Sequence, residues 1–196
     1  MKVLLVVAHP CADSYTHACA AAATSGVSSA GHTVDVIDLY SEGFRPAMSL
    51  AERLAYETDA PILDPVIADH AARLKRADAV VFVYPTWWSG LPAMLKGWLE
   101  RVMVPGVGFT FDPDSGKVKP GLRNIRRIVG ISTYGSPRPY VMLMNDNGRR
   151  IITRALRMSC GIRARPTWLA MYSTDTSDDA DRRRHLDRIE TRMAKL

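Results

Sequence analysis

The chain has 196 residues and a formal net charge of +6, and its composition is 47% hydrophobic and 23% charged. These values are typical of one soluble globular domain, large enough to bury a core without disulfides. The first apolar run, residues 3–8, is too short for a signal-peptide core or a membrane span, and no other stretch is long enough. We therefore expect a cytoplasmic protein. The three cysteines lack the spacing of metal ligands, so no metal site is expected.

Apolar runs alternate with helix-like segments along the chain, a pattern typical of βαβ units around a parallel sheet. Strands are predicted over residues 2–8, 33–39, 78–84, 126–132 and 163–171. Helices are predicted over residues 14–30, 65–76, 92–103, 139–158 and 178–195. Two segments remain irregular: residues 40–64 are polar with weak helical periodicity, and residues 104–122 are rich in glycine and proline.

Five strands in alternation with helices predict a doubly wound α/β sheet, because crossovers between parallel strands are right-handed. The chain lacks a dinucleotide-binding glycine fingerprint, which favours the flavodoxin-like strand order 2-1-3-4-5 with helices on both faces. No linker separates two domains, so residues 1–196 are expected to form a single domain.

In such a sheet, ligands bind beyond the carboxyl ends of the strands, where the strand order reverses. The loop after the first strand runs from His9 to Thr16 and leads into a helix. Free N–H groups and the helix dipole favour a phosphate there, with hydroxyl donors from Ser14 and Thr16. Ordinary capping of the helix by Ser14 or Asp13 is the alternative interpretation.

The loops after the third and fourth strands have the composition of a site for a planar ligand. Trp87 and Trp88 are adjacent, so they cannot both point into one core, and at least one is expected to line a cavity or an interface. Packing of both rings in a core or an interface is the alternative. Residues 132–137 are mostly small, which would let a flat ring approach the backbone closely.

These motifs resemble a known family. Residues 84–88, Tyr-Pro-Thr-Trp-Trp, and the following LPAMLKGWLERV of residues 91–102 resemble the signature of the flavodoxin-like NAD(P)H:quinone oxidoreductases. The family includes NAD(P)H dehydrogenase (quinone) and modulator of drug activity B-like proteins. The GVGFTF segment at 106–111, the opening VVAHP and the loop at 132–135 are also similar. The resemblance spans essentially the whole chain and is weakest after residue 140.

The resemblance implies a flavin held by the three loops: the first at its phosphates, the second along the isoalloxazine ring, the third at the polar edge of the ring. The matching cofactor residues are His9, Ser14, Tyr15, Thr16, Pro85, Thr86, Trp87, Trp88, Thr133, Tyr134 and Gly135. FAD is the expected flavin and FMN the alternative.

Two further residues match positions that take part in catalysis in the family. Tyr140 matches a tyrosine that assists the flavin during hydride transfer. Asp146 stands where the best-known members carry a histidine, and a carboxyl group that stayed protonated there would donate a proton. The alternative is that Asp146 belongs to a polar turn and points to solvent. Tyr134 also departs from the pattern, because it replaces the first of two glycines.

The activity implied is hydride transfer from NAD(P)H, the co-substrate, to flavin N5 and then to a quinone or another small aromatic acceptor. One shared stacking slot implies ping-pong kinetics. The resemblance also implies a homodimer, with Trp87, Trp88 and residues 109–111 near the interface. The alternative within the family is a flavin-binding regulatory subunit of a potassium efflux system with little catalytic role.

Two other classes are disfavoured. A receiver-type signalling domain needs acidic residues where this chain has His9, Pro10, Pro85 and Thr86. Nucleic-acid binding would suit the positive charge, but recognised nucleic-acid motifs are absent. The arginines concentrate after Arg123, and a solvated basic face on the last helices explains them, with steering of an anionic ligand as the alternative.

Overall fold

Seven strands form the β structure in the computed structural model of the protein, which describes every residue from Met1 to Leu196. They are Lys2–Val7 (β1), Thr33–Asp38 (β2), Ala79–Pro85 (β3), Phe109–Phe111 (β4), Val118–Pro120 (β5), Arg127–Thr133 (β6) and Arg165–Met171 (β7). Five pair in parallel in the order β2-β1-β3-β6-β7, and β4 pairs with β5 in a separate antiparallel ribbon. The predicted order 2-1-3-4-5 of the main sheet is therefore confirmed.

Helices connect the strands of the main sheet. They are Tyr15–Ser29 (α1), Leu50–Ala55 (α2), Pro65–Arg76 (α3), Ala93–Val102 (α4), Arg138–Leu143 (α5), Asn147–Arg150 (α6), Leu156–Cys160 (α7) and Asp179–Met193 (α8). A π-helical turn, Ile151–Ala155, joins α6 to α7, and a 3₁₀ turn, Thr174–Thr176, follows β7. None of these helices combines the length and the hydropathy that crossing a bilayer requires.

The prediction of one continuous helix over residues 139–158 is wrong, because the segment is divided into several shorter helices. Asn145 and Asp146 have left-handed backbone conformations, with φ of 73° and 43°. Right-handed helix cannot run through left-handed residues, so α5 ends before them and α6 begins after them. The run of Asn, Asp and Gly in this segment tolerates that conformation better than other residues do.

Two segments contain elements that the sequence did not predict. Within residues 40–64, α2 begins at a capping box in which Ser49 and Glu52 bond each other's backbone N–H groups. Within residues 104–122, the β4–β5 ribbon turns where Gly116 takes a φ of 65°. Elements of three to six residues are too short for hydrophobic periodicity to reveal.

The main sheet is covered on both faces, and β3 is buried at every position. On one face, Leu4 of β1 and Phe82 of β3 belong to a core that includes Trp98 of α4. On the other face, Leu5 and Val81 belong to a second core beneath α1 and α8. Burial on both faces explains the continuous apolar runs by which the sequence predicted these strands.

Helices α1 and α8 lie in close contact. A Cβ atom at Gly26 would lie 2.3 Å from the carbonyl oxygen of Glu190, so the contact requires glycine. Near the start of α1, the Tyr15 hydroxyl lies 3.0 Å from Nδ1 of His185, which is buried in α8. Burial, with the charge of Arg188 adding to it, lowers the pKa of His185 to about 4.

We predict that His185 makes stability depend on pH. The unfolded chain binds a proton at this histidine near pH 6.5, while the folded chain keeps the ring neutral down to about pH 4. Between these values the unfolded state binds more protons, so the free energy of unfolding falls as the pH is lowered, by roughly 2 kcal/mol at this site. Urea unfolding at pH 7 and pH 4.5 should show a smaller fall for His185→Phe than for wild type.

His32→Gln is the matched control, because His32 lies outside this helix contact. It should keep the pH dependence of the wild type. Equal pH dependence in His185→Phe and in wild type would contradict the assignment.

Candidate functional site

The loops after β3 and β6 meet at the carboxyl edge of the sheet. The parallel register places Pro85 beside Thr133. One residue further, the Thr86 N–H donates to the Thr133 carbonyl at 2.8 Å, and the Thr86 hydroxyl lies 2.9 Å from that of Ser132. These bonds hold the two predicted ring-binding loops against each other.

A cavity of about 650 Å³ opens between these loops and α5. Its volume lies within the range of small-molecule sites. The predicted site residues that line it are Pro85, Thr86, Trp87, Trp88, Thr133, Tyr134, Gly135, Tyr140 and Asp146. The structure therefore brings together the second loop, the third loop and both candidate catalytic residues.

The two tryptophans belong to a tight turn whose two central residues are Trp88 and Ser89. Backbone bonds of 3.3 Å and 3.0 Å join Trp87 and Gly90, and both central residues are left-handed, with φ of 47° for Trp88 and 58° for Ser89. Such turns prefer Asn-Gly or Gly-Gly, so Trp and Ser there are strained. The turn leaves the Trp88 side chain fully exposed and Trp87 42% exposed. Core packing of both rings, one half of the alternative considered above, is therefore wrong, while packing of both rings in an interface stays open.

The first loop supplies unpaired backbone donors at the start of α1. Ser14 caps the helix by accepting a hydrogen bond from the His17 N–H at 3.3 Å. The N–H groups of Tyr15 and Thr16 donate to no protein acceptor, as is usual in the first turn of a helix. Ser14 is therefore a helix cap, as the alternative interpretation has it. The phosphate site at the free N–H groups stays a prediction.

The His9 ring of the first loop lies next to Trp87, which lines the cavity. Its Nδ1 lies 3.1 Å from the Cys11 amide nitrogen, which ties the imidazole to its own loop. Its ring centroid is 5.8 Å from that of Trp87. The first loop and the cavity are thus neighbours, although the first loop does not line the cavity itself.

Two side chains near the first loop have partners far away in the sequence. The Tyr15 hydroxyl donates to the Arg182 carbonyl at 3.0 Å, so Tyr15 offers a ligand its backbone N–H and not its hydroxyl. His17 was missed by the sequence analysis, and its Nε2 lies 3.0 Å from the Asp38 carboxylate at the end of β2. Partial burial opposes ionisation of Asp38, but hydrogen bonds from His17 and from two backbone N–H groups lower its pKa.

Asp146 is buried behind the third loop. Its side chain is 5% exposed, so the expectation that it points to solvent is wrong, although its backbone does form a turn. The Tyr134 hydroxyl donates to Asp146 Oδ1 at 2.8 Å, and the Tyr134 ring stacks on Tyr172 at 4.8 Å. Burial raises the pKa of Tyr134 above its ordinary value, and the hydrogen bond to Asp146 raises it further.

The group around Asp146 contains two buried polar atoms without a partner. Asp146 Oδ2 and the Tyr84 hydroxyl form no hydrogen bond, and the nearest cation, Arg149, lies 4.0 Å from Oδ2. Burial raises the pKa of Tyr84, and the neighbouring Tyr134 and Asp146 contribute to that rise. Unpaired buried atoms of this kind are uncommon in native structures, so each calls for a specific explanation.

Gly135 and Ser136 supply donors at one edge of the cavity. Their backbone N–H groups donate to no protein acceptor. A Cβ atom at Gly135 would lie 2.6 Å from Oδ2 of Asp175, so a larger residue here would displace the Asp175 side chain. Asp175 was not predicted, because its only signal was a polar segment after the last strand.

The donor set of these loops fits a flavin nucleotide. Free N–H groups at the start of α1 suit a phosphate, and those of Gly135 and Ser136 suit the polar edge of a planar ring. The exposed rings of Trp87 and Trp88 suit stacking. The contact between His9 and Trp87 places these two groups of donors next to each other.

Comparison with known proteins assigns the chain to a family: it belongs to a family of flavodoxin-like fold, whose model matches residues 1–193. It is 31% identical to NAD(P)H dehydrogenase (quinone) 1 of Rattus norvegicus over 156 residues, which cover 71% of this chain and 56% of the rat protein. The chain therefore spans little more than half the length of this curated relative. The resemblance found in the sequence is confirmed.

Solved structures share the fold along the whole chain. The NAD(P)H:quinone oxidoreductase from Methanothermobacter marburgensis has a TM-score of 0.83 and 28% identity, covering 100% of this chain and 96% of that one. An FMN-dependent NADH-azoreductase from Bacillus anthracis, solved in complex with FMN, has a TM-score of 0.79 and 16% identity, covering 100% and 99%. At that identity the azoreductase shows a common fold alone.

We predict that the hydrogen bond between Tyr134 and Asp146 stabilises the protein. Tyr134→Phe leaves both oxygens of a buried carboxyl group unpaired, which should lower the free energy of unfolding by about 1–3 kcal/mol. Urea unfolding of Tyr134→Phe, Asp146→Asn and the double variant should give effects that are not additive. Tyr40→Phe is the control, since the Tyr40 hydroxyl has no protein partner, and an equal effect of both Tyr→Phe changes would contradict the prediction.

Proposed function

We propose that this protein is a flavin-dependent NAD(P)H:quinone oxidoreductase. The observation that carries the proposal is the cavity beyond β3 and β6, which combines exposed tryptophans with unpaired N–H donors. It lies next to a helix start whose first N–H groups are also unpaired. The names of the relatives support the same activity, and none of those reported above is named as a subunit of a potassium efflux system. NAD(P)H is the proposed co-substrate, and a quinone or another small aromatic compound the acceptor.

When bound, a flavin supplies the two-electron chemistry between NAD(P)H and the acceptor. FAD is the flavin we propose, as the family resemblance implies, and FMN is the alternative. The start of α1 would hold the phosphate through the N–H groups of Tyr15 and Thr16. The N–H groups of Gly135 and Ser136 would stabilise negative charge at the ring edge, because fixed dipoles need no reorganisation during the reaction.

The second loop and α5 would form the slot for the reacting partners. Trp87, Trp88 and Tyr140 present exposed aromatic surface to the same cavity. A nicotinamide and a quinone are both flat, so each would stack in this slot in turn. Alternating use of one slot leads to ping-pong kinetics.

Tyr140 and Asp146 take different parts in handling protons under this proposal. The Tyr140 side chain is 51% exposed at the cavity and its hydroxyl has no protein partner, so it can donate to a bound molecule. Asp146 lies behind Tyr134 and acts on the site through that hydroxyl. We therefore propose Tyr140 as the catalytic residue and Asp146 as a positioning residue.

The identity of the flavin is the first test. Protein purified from cells supplemented with riboflavin should be yellow, and acid release followed by chromatography should give one flavin per chain, FAD rather than FMN. FMN alone would correct the choice of flavin and leave the activity standing. A colourless protein that takes up neither added FAD nor added FMN would contradict the proposal.

Substitution of Tyr140 tests its role. Tyr140→Phe should slow reduction of the bound flavin by NAD(P)H about 10-fold, as expected for the loss of one oriented hydroxyl. Stopped-flow absorbance in a single turnover measures this step directly. Tyr40→Phe is the matched control, because Tyr40 lies outside the cavity, and it should leave the rate unchanged. Equal rates for wild type and Tyr140→Phe would leave Tyr140 with a packing role alone.

We also propose a homodimer, since the cavity rim, α5 and the β4–β5 ribbon expose more apolar surface than a free surface usually carries. Leu143 is 81% exposed, Phe111 is 58% exposed and Trp88 is fully exposed. Sedimentation at micromolar concentration should give twice the 21.7 kDa chain mass, and Phe111→Asp should weaken the assembly. A monomer with full activity would contradict this proposal.

We place the enzyme in the cytoplasm, where its three free cysteines would stay reduced.

A further inference from the structure

A second cavity, of about 680 Å³, lies at the opposite end of the sheet. Two of its lining residues, Arg126 and Arg163, stand at the amino ends of β6 and β7. The first site lies at the carboxyl ends of the same strands, around Thr133. A strand of seven residues spans roughly 20 Å, so the two cavities are separate.

The second cavity is surrounded by positive charge that nothing in the protein neutralises. Its lining contains five arginines and no aspartate or glutamate: Arg123, Arg126, Arg154, Arg157 and Arg163. The arginines that form ion pairs with carboxylates are elsewhere in the fold: Arg53, Arg73, Arg101, Arg149 and Arg184. Like charges gathered around one concave surface repel each other, and a bound anion would relieve that repulsion.

Arg157 is held in a fixed orientation. Its Nε donates to the Ala164 carbonyl at 3.0 Å, and its Nη2 donates to the Ile162 carbonyl at 2.8 Å. Its Nη1 has no protein partner. A guanidinium group fixed by backbone carbonyls loses little further freedom when it binds a phosphate or a carboxylate.

The lining between the arginines is apolar. Ile125 and Cys160 are buried, while Met158 is 73% exposed and Ile162 is 86% exposed. An inorganic anion would use the arginines and leave this apolar surface in water. A ligand with an apolar body and an anionic head would use both, which is the usual design of a small-molecule site.

We propose that this cavity binds a small organic anion: an aromatic or aliphatic body that carries a phosphate, sulfonate or carboxylate group. The anionic group pairs with the guanidinium groups, and the body lies against Met158 and Ile162. Binding there is independent of the proposed redox activity, because the cavity shares no residue with the first site.

Calorimetric titration with three probes tests the proposal, with excess FAD present to occupy the flavin position of the first site. Any binding of the naphthyl probes in the aromatic slot beside the flavin is recognised because the charge-reversal variants of the second cavity leave it unchanged. The probes are 1-naphthyl phosphate, which has both parts of the proposed ligand, 1-naphthol, which lacks the charge, and inorganic phosphate, which lacks the body. We expect 1-naphthyl phosphate to bind once per chain and at least about 10-fold more tightly than either other probe. Its affinity should fall as salt is added.

Charge-reversal variants locate the binding. Arg154→Glu should weaken 1-naphthyl phosphate at least about 10-fold, because attraction is replaced by repulsion. Arg183→Glu is the matched control: it makes the same charge change on an exposed face of α8 outside the cavity, so affinity should stay within about 2-fold. Arg123→Glu provides a second cavity variant if Arg154→Glu does not fold.

Three results would overturn the proposal. Equal weakening by Arg154→Glu and Arg183→Glu would mean a general effect of net charge. Equal affinity for inorganic phosphate and 1-naphthyl phosphate would mean that the cavity is only an exposed cationic surface and that its apolar lining contributes nothing to binding. Dissociation of a dimer by Arg154→Glu would mean that a second copy of the chain covers this face.

Discussion

The parallel register between β3 and β6 is the constraint on which the candidate site depends. It pairs Ala79 with Arg127 at one end and Pro85 with Thr133 at the other, so the two strands finish level. A shift of one residue would turn the buried side chains of either strand to the opposite face, and the two cores would lose their contacts. The apolar cores therefore fix the position at which the Trp loop and the third loop leave the sheet.

The same register determines what lies beside the two loops. On the other side of β3, Val7 of β1 pairs with Val83, so the first loop leaves from the same edge. His9 stands two residues after Val7, and its ring centroid lies 5.8 Å from that of Trp87. The three loops meet because three parallel strands end together, and the bonds from Thr86 to the end of β6 then hold the second and third loops against each other.

Hydrophobic pattern is sufficient to predict this framework from the sequence. The apolar runs at residues 2–8 and 78–84 are long and bounded by polar segments, so they indicate buried strands without knowledge of their neighbours. The cap at Ser14 and the adjacent tryptophans are local signals of the same kind. The short α2 helix and the β4–β5 ribbon were missed because three to six residues are too few to show a hydrophobic pattern.

The destinations of the polar side chains could not be predicted, because their partners are distant in the chain. The Tyr15 hydroxyl bonds a carbonyl 167 residues away, and His17 meets Asp38 21 residues away. Asp146 shows the limit most clearly: its neighbours in sequence are polar and indicate a turn on the surface. Its partner, Tyr134, is a residue that the family pattern does not contain, so the pair could be found only in the structure.

Backbone strain in this fold is concentrated around the first cavity. Five residues other than glycine have positive φ: Trp88, Ser89, Asn145, Asp146 and Ser173. Trp88, Ser89 and Asp146 line the cavity, and the other two are next to lining residues. Each such residue costs on the order of 1 kcal/mol and persists because its surroundings hold it in place.

At Trp88 the strain has no compensating contact within the chain, since the side chain is fully exposed. A strained turn that presents a large apolar ring to water lowers stability twice, by its backbone and by its exposure. The buried sheet is stable enough to tolerate this destabilisation. A bound planar molecule or a second subunit would offset part of it by covering the Trp88 ring. At Asp146 the protein itself offsets part of the strain, because the Tyr134 hydroxyl donates a hydrogen bond to the carboxylate. Trp88 is therefore strained without a stabilising side-chain contact in its own chain. This is the local feature that most directly favours an intermolecular role for the loop.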